Sequence, residues 1–160
     1  MLKPKKTKYR KYQKGTIKSS RKNVLFIDTL KEGVFRLDSQ QSARITAKQL
    51  ESCRQSISRR IKRLGKLQIR SFPDLAVSKK PTEVRMGKGK GAVDFWCCKV
   101  KPGTTLFEIS GADRKTSIRA LESTIAKLPI KVTIIGSVSY THLRAHETKA
   151  NLVFRLLLEK

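Results

Sequence analysis

Ten lysines and arginines and no acid fall within residues 1 to 22, and this run constrains folding more than any other feature of the chain. The bases are Lys3, Lys5, Lys6, Lys8, Arg10, Lys11, Lys14, Lys18, Arg21 and Lys22. Only Leu2, Tyr9, Tyr12 and Ile17 offer apolar surface. Such a segment cannot bury enough of it to offset the entropy of its own ordering. The expectation is a basic arm over residues 1–22 that orders on a partner. Tyr9 and Tyr12 either stack on bases and sugars or anchor the arm to the domain behind it.

The imbalance continues beyond the arm, with 37 bases against 12 acids and a net charge of +25 in 160 residues. A folded domain so charged repels itself unless a polyanion neutralises it, and the usual polyanion is nucleic acid. A membrane surface competes for that role. However, no run approaches the roughly 20 apolar residues of a spanning helix, and no helix segregates bases from aromatics as a surface anchor would. The opening MLKPKK has no apolar signal-peptide core. It is basic and acid-free like a transit peptide, but Pro4 and the lack of an amphipathic period argue against one. Cys53, Cys97 and Cys98 lack metal-ligand spacing, and the adjacent pair falls on opposite faces of a strand. Buried thiols in a reducing compartment are expected.

Residues 138–148, VSYTHLRAHET, resemble the translation of the transposon-end adapter used in DNA sequencing libraries. After a short stretch where an index would sit (149–151), residues 152–160 resemble the translated flow-cell adapter, with Phe154 where that frame gives Cys. Residues 137–160 are therefore expected to be a non-native tail and are set aside. Both histidines, His142 and His146, lie there at helical spacing and would otherwise read as half a metal site. The tail holds four bases and two acids, which leaves 33 bases against 10 acids in the remainder.

Over residues 23–136 the pattern of apolar residues predicts an α+β fold. We expect a two-layer mixed sheet with two helices, plus the extended arm. Two short strands are expected at 24–27 and 33–37. Thr46 opens a helix with Gln49 three residues on, a capping box. Leu50, Cys53, Ile57, Ile61 and Leu64 form its buried stripe, and Gly65 stops it. Its outer face carries Lys48, Arg54, Arg59, Arg60, Lys62 and Arg63 with one acid, Glu51. A merely solvated helix mixes signs, so phosphate contact is the better reading. A strand at 67–72 ends at Pro73. A hairpin then runs from 93 to 101 and from 104 to 109 around Pro102 and Gly103, with Trp96 in the core. Asp113 caps a second helix whose buried face is Ile118, Leu121, Ile125 and Leu128, and a last strand covers 130–135.

Residues 80–91, KPTEVRMGKGKG, alternate ammonium groups with glycines. Glycine lets backbone approach another surface closely, so Arg85, Lys88 and Lys90 and the main-chain N–H groups can all reach phosphates. The stretch does not meet the phosphate-loop pattern of nucleotide enzymes, and a strand rather than a helix follows it. Without a histidine outside the tail, and with acids scattered singly, no nucleophile–base or acid–base pair is suggested. No enzyme, catalytic residue, metal or cofactor is expected. Classical DNA-reading motifs are also missing. Bases spread over an arm, a helix face and a loop suit a large folded RNA recognised by phosphates and shape.

Residues 1–15 (MLKPKKTKYRKYQKG) and 80–91 closely resemble the two signature stretches of the ribosomal protein L-sixteen family, bacterial and organellar type. The similarity continues through RITAKQLE (44–51), IRSFPD (69–74), KPG (101–103), LFE (106–108) and AKLPIK (126–131). It lapses over 16–43, where Asp28, Glu32 and Asp38 stand in place of the family's glycine-rich basic stretch. The resemblance implies a constituent of the large ribosomal subunit that binds its rRNA, helps position tRNA near the aminoacyl site and peptidyl-transferase centre, and touches neighbouring ribosomal proteins. Catalysis there belongs to RNA. The implied rRNA contacts are Lys3, Lys5, Lys6, Lys8, Tyr9, Arg10, Lys11, Lys14, Arg44, Lys48, Arg59, Arg60, Arg63 and Arg70. The implied rRNA and tRNA loop is Arg85, Met86, Gly87, Lys88, Gly89, Lys90 and Gly91. Because the start matches the family's own first residue, no cleaved presequence is expected. The wording of the signature stretches favours a mitochondrion, with a bacterial cytoplasm or plastid as alternatives. The rival from another class is a free-standing RNA chaperone or general nucleic-acid binder using the same charge.

Overall fold

The computed structural model describes residues 2–17 and 33–136. The strand expected at 24–27, residues 18–22 of the arm, Asp28, Glu32 and the tail with its histidines lie outside the described residues. In chain order the elements are β1 (Val34–Ser39), β2 (Ala43–Thr46), α1 (Ala47–Ile61), β3 (Lys66–Ile69), β4 (Leu75–Lys79), β5 (Ala92–Val100), β6 (Thr105–Ser110), α2 (Arg114–Ile125) and β7 (Val132–Gly136).

Both helices start where their capping chemistry predicts. Gln49 N donates to Thr46 Oγ1 at 3.3 Å and Thr46 N donates to Gln49 Oε1 at 2.9 Å, a reciprocal capping box for α1. Asp113 caps α2 by accepting from Lys115 N at 3.2 Å. The ends differ from expectation. Helix α1 closes at Lys62 and Arg63, both left-handed with φ of 51° and 67°, so Leu64 leaves the stripe and is 69% exposed. Gly65 serves packing instead of capping, since a Cβ there would lie 2.8 Å from Ser110 O and 2.9 Å from Ala112 Cβ.

Helix α2 buries Ser117, Ala120, Leu121 and Thr124, whereas Ile118 is half-buried and Ile125 exposed. Small residues line this face because α2 packs closely on α1, with the Ser56 and Ser123 hydroxyls 3.1 Å apart. The buried Thr124 hydroxyl is satisfied by donating to Leu121 O at 2.6 Å.

The α+β class with two helices stands, and the two-layer sheet expected to be mixed is a pair of antiparallel sheets. Among the described residues every pairing is antiparallel, in a four-stranded sheet ordered β3-β6-β1-β7 and a three-stranded sheet ordered β2-β5-β4. The expected hairpin of β5 and β6 is the point of division. Its turn forms, with Thr104 N donating to Lys101 O at 3.1 Å and Gly103 at φ 78°. The strands then part, because Ser39 competes for the turn: Gly103 N donates to Ser39 O at 2.7 Å and Ser39 N to Thr104 O at 3.0 Å. Strand β6 continues along β1 while β5 continues along β2. Trp96 is half-buried beside Ala76 on this outer sheet, not in the core.

One core joins the layers. Leu37, Phe107 and Ile109 from the larger sheet meet Leu50, Cys53, Ile57 and Ile61 of α1, Leu121 of α2, and Ile45, Cys98 and Val100 of the smaller sheet. Each Leu, Ile, Val or Phe among them contributes about 1.5–3 kcal/mol through burial. Strand β1 also buries a charged pair, Arg36 Nε and Asp38 Oδ2 at 3.2 Å. Burial holds the Asp38 carboxyl above its ordinary range, opposed by a hydrogen bond to Thr105 and the Arg36 charge.

Candidate nucleic-acid interface

Strand alternation decides where the arm goes. Along β5, Cys98 and Val100 face α1 in the main core, while Cys97 faces outward with Leu75 and Val77. Tyr12 packs on that outer cluster. Arg44 of β2 donates to the carbonyls of Lys14 and Gly15, the former at 3.3 Å, and Leu2 packs against the main core. Residues 2–17 have no helix or strand. They nevertheless lie docked on the domain through Tyr12 and Arg44. Of the two tyrosines, one takes the anchoring role. Tyr12 anchors; Tyr9 is 58% exposed, meets Tyr12 edge-on at 6.4 Å and carries Lys8 Nζ 5.5 Å from its ring centre. A cation so placed at an exposed site contributes about 0.5–1 kcal/mol.

The glycine loop is narrow at its base and left-handed at its tip. A Cβ on Gly91 would lie 2.4 Å from Lys79 O, so only glycine lets the two stems come together. Gly87, Lys88 and Gly89 have φ of 99°, 50° and 92°. Lys80 Nζ reaches across to the Gly87 carbonyl, and Val84 N donates to Pro81 O at 3.3 Å. Those bonds fold the loop back and present its tip, where Met86 is 100% exposed and Arg85 and Lys88 face solvent.

Arm and loop are tied reciprocally. Lys11 Nζ donates to Lys90 O at 2.6 Å, and Lys90 Nζ donates to the Tyr12 carbonyl. Lys3, Lys5, Lys6, Lys8, Tyr9, Arg10, Lys11 and Lys14 are all exposed on the arm, as is Arg44 beneath it. Arm and loop thus form one surface holding seven bases from residues 2–17 and four from 80–91 (Lys80, Arg85, Lys88 and Lys90), against Glu83 as its acid.

The helix cations are not part of this surface. Helix α1 packs on the face of β5 opposite the arm. Arg59, Arg60 and Arg63 are exposed around its C-terminus and Lys48 is exposed in its first turn. They lie about 17 Å apart along a helix rising 1.5 Å per residue. Arg54 is occupied by Glu51 at 2.6 Å, and that bond holds the Glu51 carboxyl below its usual range. Arg70, just past β3, pairs with Glu108 at 2.7 Å. Two cations escaped the sequence reading. Lys80 braces the loop, and Lys99 stands beneath the arm, 3.5 Å from where a Gly15 Cβ would sit. The period of two from Cys97 is the signal that places Lys99 on the arm's face. Among the described residues no group of three or more His, Cys, Asp or Glu gathers as a metal site would require.

The model of the family described as ribosomal protein L16p/L10e matches residues 4–135. The chain is 52% identical over 136 residues to the large ribosomal subunit protein uL16 of Maricaulis maris, covering 85% of this chain and 97% of that one. It is 49% identical to the uL16 proteins of Parvibaculum lavamentivorans and Erythrobacter litoralis, again over 136 residues and 85% of this chain, covering 96% and 92% of theirs. On these matches the chain belongs to the ribosomal protein L16p/L10e family, whose members are structural ribosomal proteins and not enzymes.

Proposed function

We propose that this chain is built into the large ribosomal subunit, binds its rRNA through the arm–loop surface, and uses the loop tip to help position tRNA near the aminoacyl site and peptidyl-transferase centre. The observation that carries this reading is the reciprocal tie between Lys11 and Lys90, which makes arm and loop a single basic surface. Phosphates satisfy such a surface without base-specific contacts. The cations around the end of α1, on the other side of the smaller sheet, offer a second contact, so the RNA is gripped from two sides. Neighbouring ribosomal proteins are the remaining partners. The named relatives are bacterial, which favours a ribosome in a bacterial cytoplasm; they lend no support to the mitochondrial expectation. We also read residues 137–160 as foreign to the family, since the family model stops at 135 and an alignment of 136 residues already covers 97% of one relative.

Binding of the full chain to a large-subunit rRNA fragment across a salt series tests the surface. Replacing Arg85 and Lys88 with Ala should lower the slope of log K against log salt by about 2, about one per lost phosphate contact. In a translation assay the same variant should slow tRNA accommodation while its circular dichroism stays unchanged. An unaltered salt slope with normal accommodation would refute the role given to the loop.

A further inference from the structure

A cleft of about 380 Å³ opens beside the docked arm, between β5 and the segment joining β3 to β4. That is room for one flat ring system with its sugar, and far too little for a duplex. Buried Leu75 lines its apolar part, and Tyr12 and Phe72 bring aromatic rings. Phe72 is half exposed although the backbone carrying it is pinned on both sides. Arg70 N donates to Leu106 O at 3.0 Å, Ser71 Oγ donates to Thr105 O at 3.0 Å, and Pro73 is fully buried. A rigidly held, uncovered ring is a stacking platform already in place. Arg70, steadied by Glu108, and Lys99 supply cations for the adjoining phosphates.

The geometry points to a pocket for one unstacked nucleobase of the bound RNA, guanine by preference. Asp74 decides the preference, because it is the acid lining the cleft. A carboxylate accepts two parallel hydrogen bonds, and guanine alone among the four bases presents adjacent N1–H and N2–H donors on its Watson–Crick edge. The inference rests on the RNA-binding reading above.

The test is fluorescence anisotropy of the purified full chain with a labelled oligouridylate carrying one central guanosine. The comparison probes have an abasic residue or inosine at that place. The guanosine probe should bind about tenfold tighter than the abasic one, and inosine, lacking the N2 amine, should fall between them. Phe72→Ala should remove the difference between guanosine and abasic probes; Asp74→Asn should remove the difference between guanosine and inosine. Both variants should retain the salt-dependent binding that all three probes share. Asp74 is exposed and Asn matches its shape, so the second variant keeps the test valid if the first misfolds. Equal binding of guanosine and abasic probes by the unaltered chain overturns the pocket but leaves the RNA reading intact. Failure to bind any probe overturns both.

Discussion

Gly91 shows how much rests on a single missing Cβ. Its neighbour at 2.4 Å is the backbone carbonyl of Lys79, which cannot swing away as a side-chain tip would. Gly91→Ala should therefore cost about 1–3 kcal/mol by overpacking, read as a lower urea midpoint with unchanged m-value. The sequence made the loop legible as glycine-rich and basic, yet it assigned those glycines to contact with RNA. That Gly91 instead closes the stems depends on where β4 lies, and nothing local to the loop encodes it. Cys98 offers a second test at this scale. Burial pushes its thiol up to about 11 from an ordinary 9.0. Between those values the unfolded chain loses the proton first, so stability falls as pH rises from 9 to 11. The advantage of the native protein over Cys98→Ala should shrink by up to about 2–3 kcal/mol across that window, measured by urea unfolding at each end. A constant difference would show that the thiol is not held protonated by the fold.

Elements defined by local chemistry were the ones most readable. Thr46 with Gln49, and Asp113, fix helix starts through contacts within three residues. Replacing Thr46 with Ala should cost about 1 kcal/mol, seen in thermal unfolding, with Thr46→Ser restoring most of it. Strands depending on distant partners were harder. β2 is four residues set directly against a helix, and β4 sits between Pro73 and the loop, so neither has room to show a period of two. The Pro102–Gly103 turn was read correctly as a turn, but whether its arms pair is decided by Ser39, more than sixty residues upstream. The arm belongs to this scale too. Its composition excludes independent folding, but a single half-buried ring, Tyr12, and the Arg44 guanidinium dock it onto a sheet formed elsewhere. Tyr12→Ala should speed tryptic cleavage within residues 3–14 by roughly tenfold, equivalent to about 1.4 kcal/mol of lost docking. The domain's own midpoint should hardly move. Unchanged cleavage would mean that the arm is held by something other than the ring.

At the scale of the whole molecule, charge predicted the class of partner and the fold arranged that charge. Net charge alone did not reveal that the bases divide between two sides of the three-stranded sheet, because the division follows from the alternation of Cys97 and Cys98 along β5. A chain ending at Gly136 keeps both surfaces and should bind rRNA with the affinity and salt slope of the full chain. A marked loss of affinity would show that residues 137–160 act in binding. Whether the molecule is a resident of the large subunit or a free RNA binder turns on how firmly it is held. Cell extract containing the tagged full chain, sedimented through a high-salt gradient, separates these, because basic proteins held by phosphates alone wash off as salt rises. Membership of the subunit predicts that the chain travels with the large-subunit peak, and a chain left at the top of the gradient while that peak stays intact would contradict it.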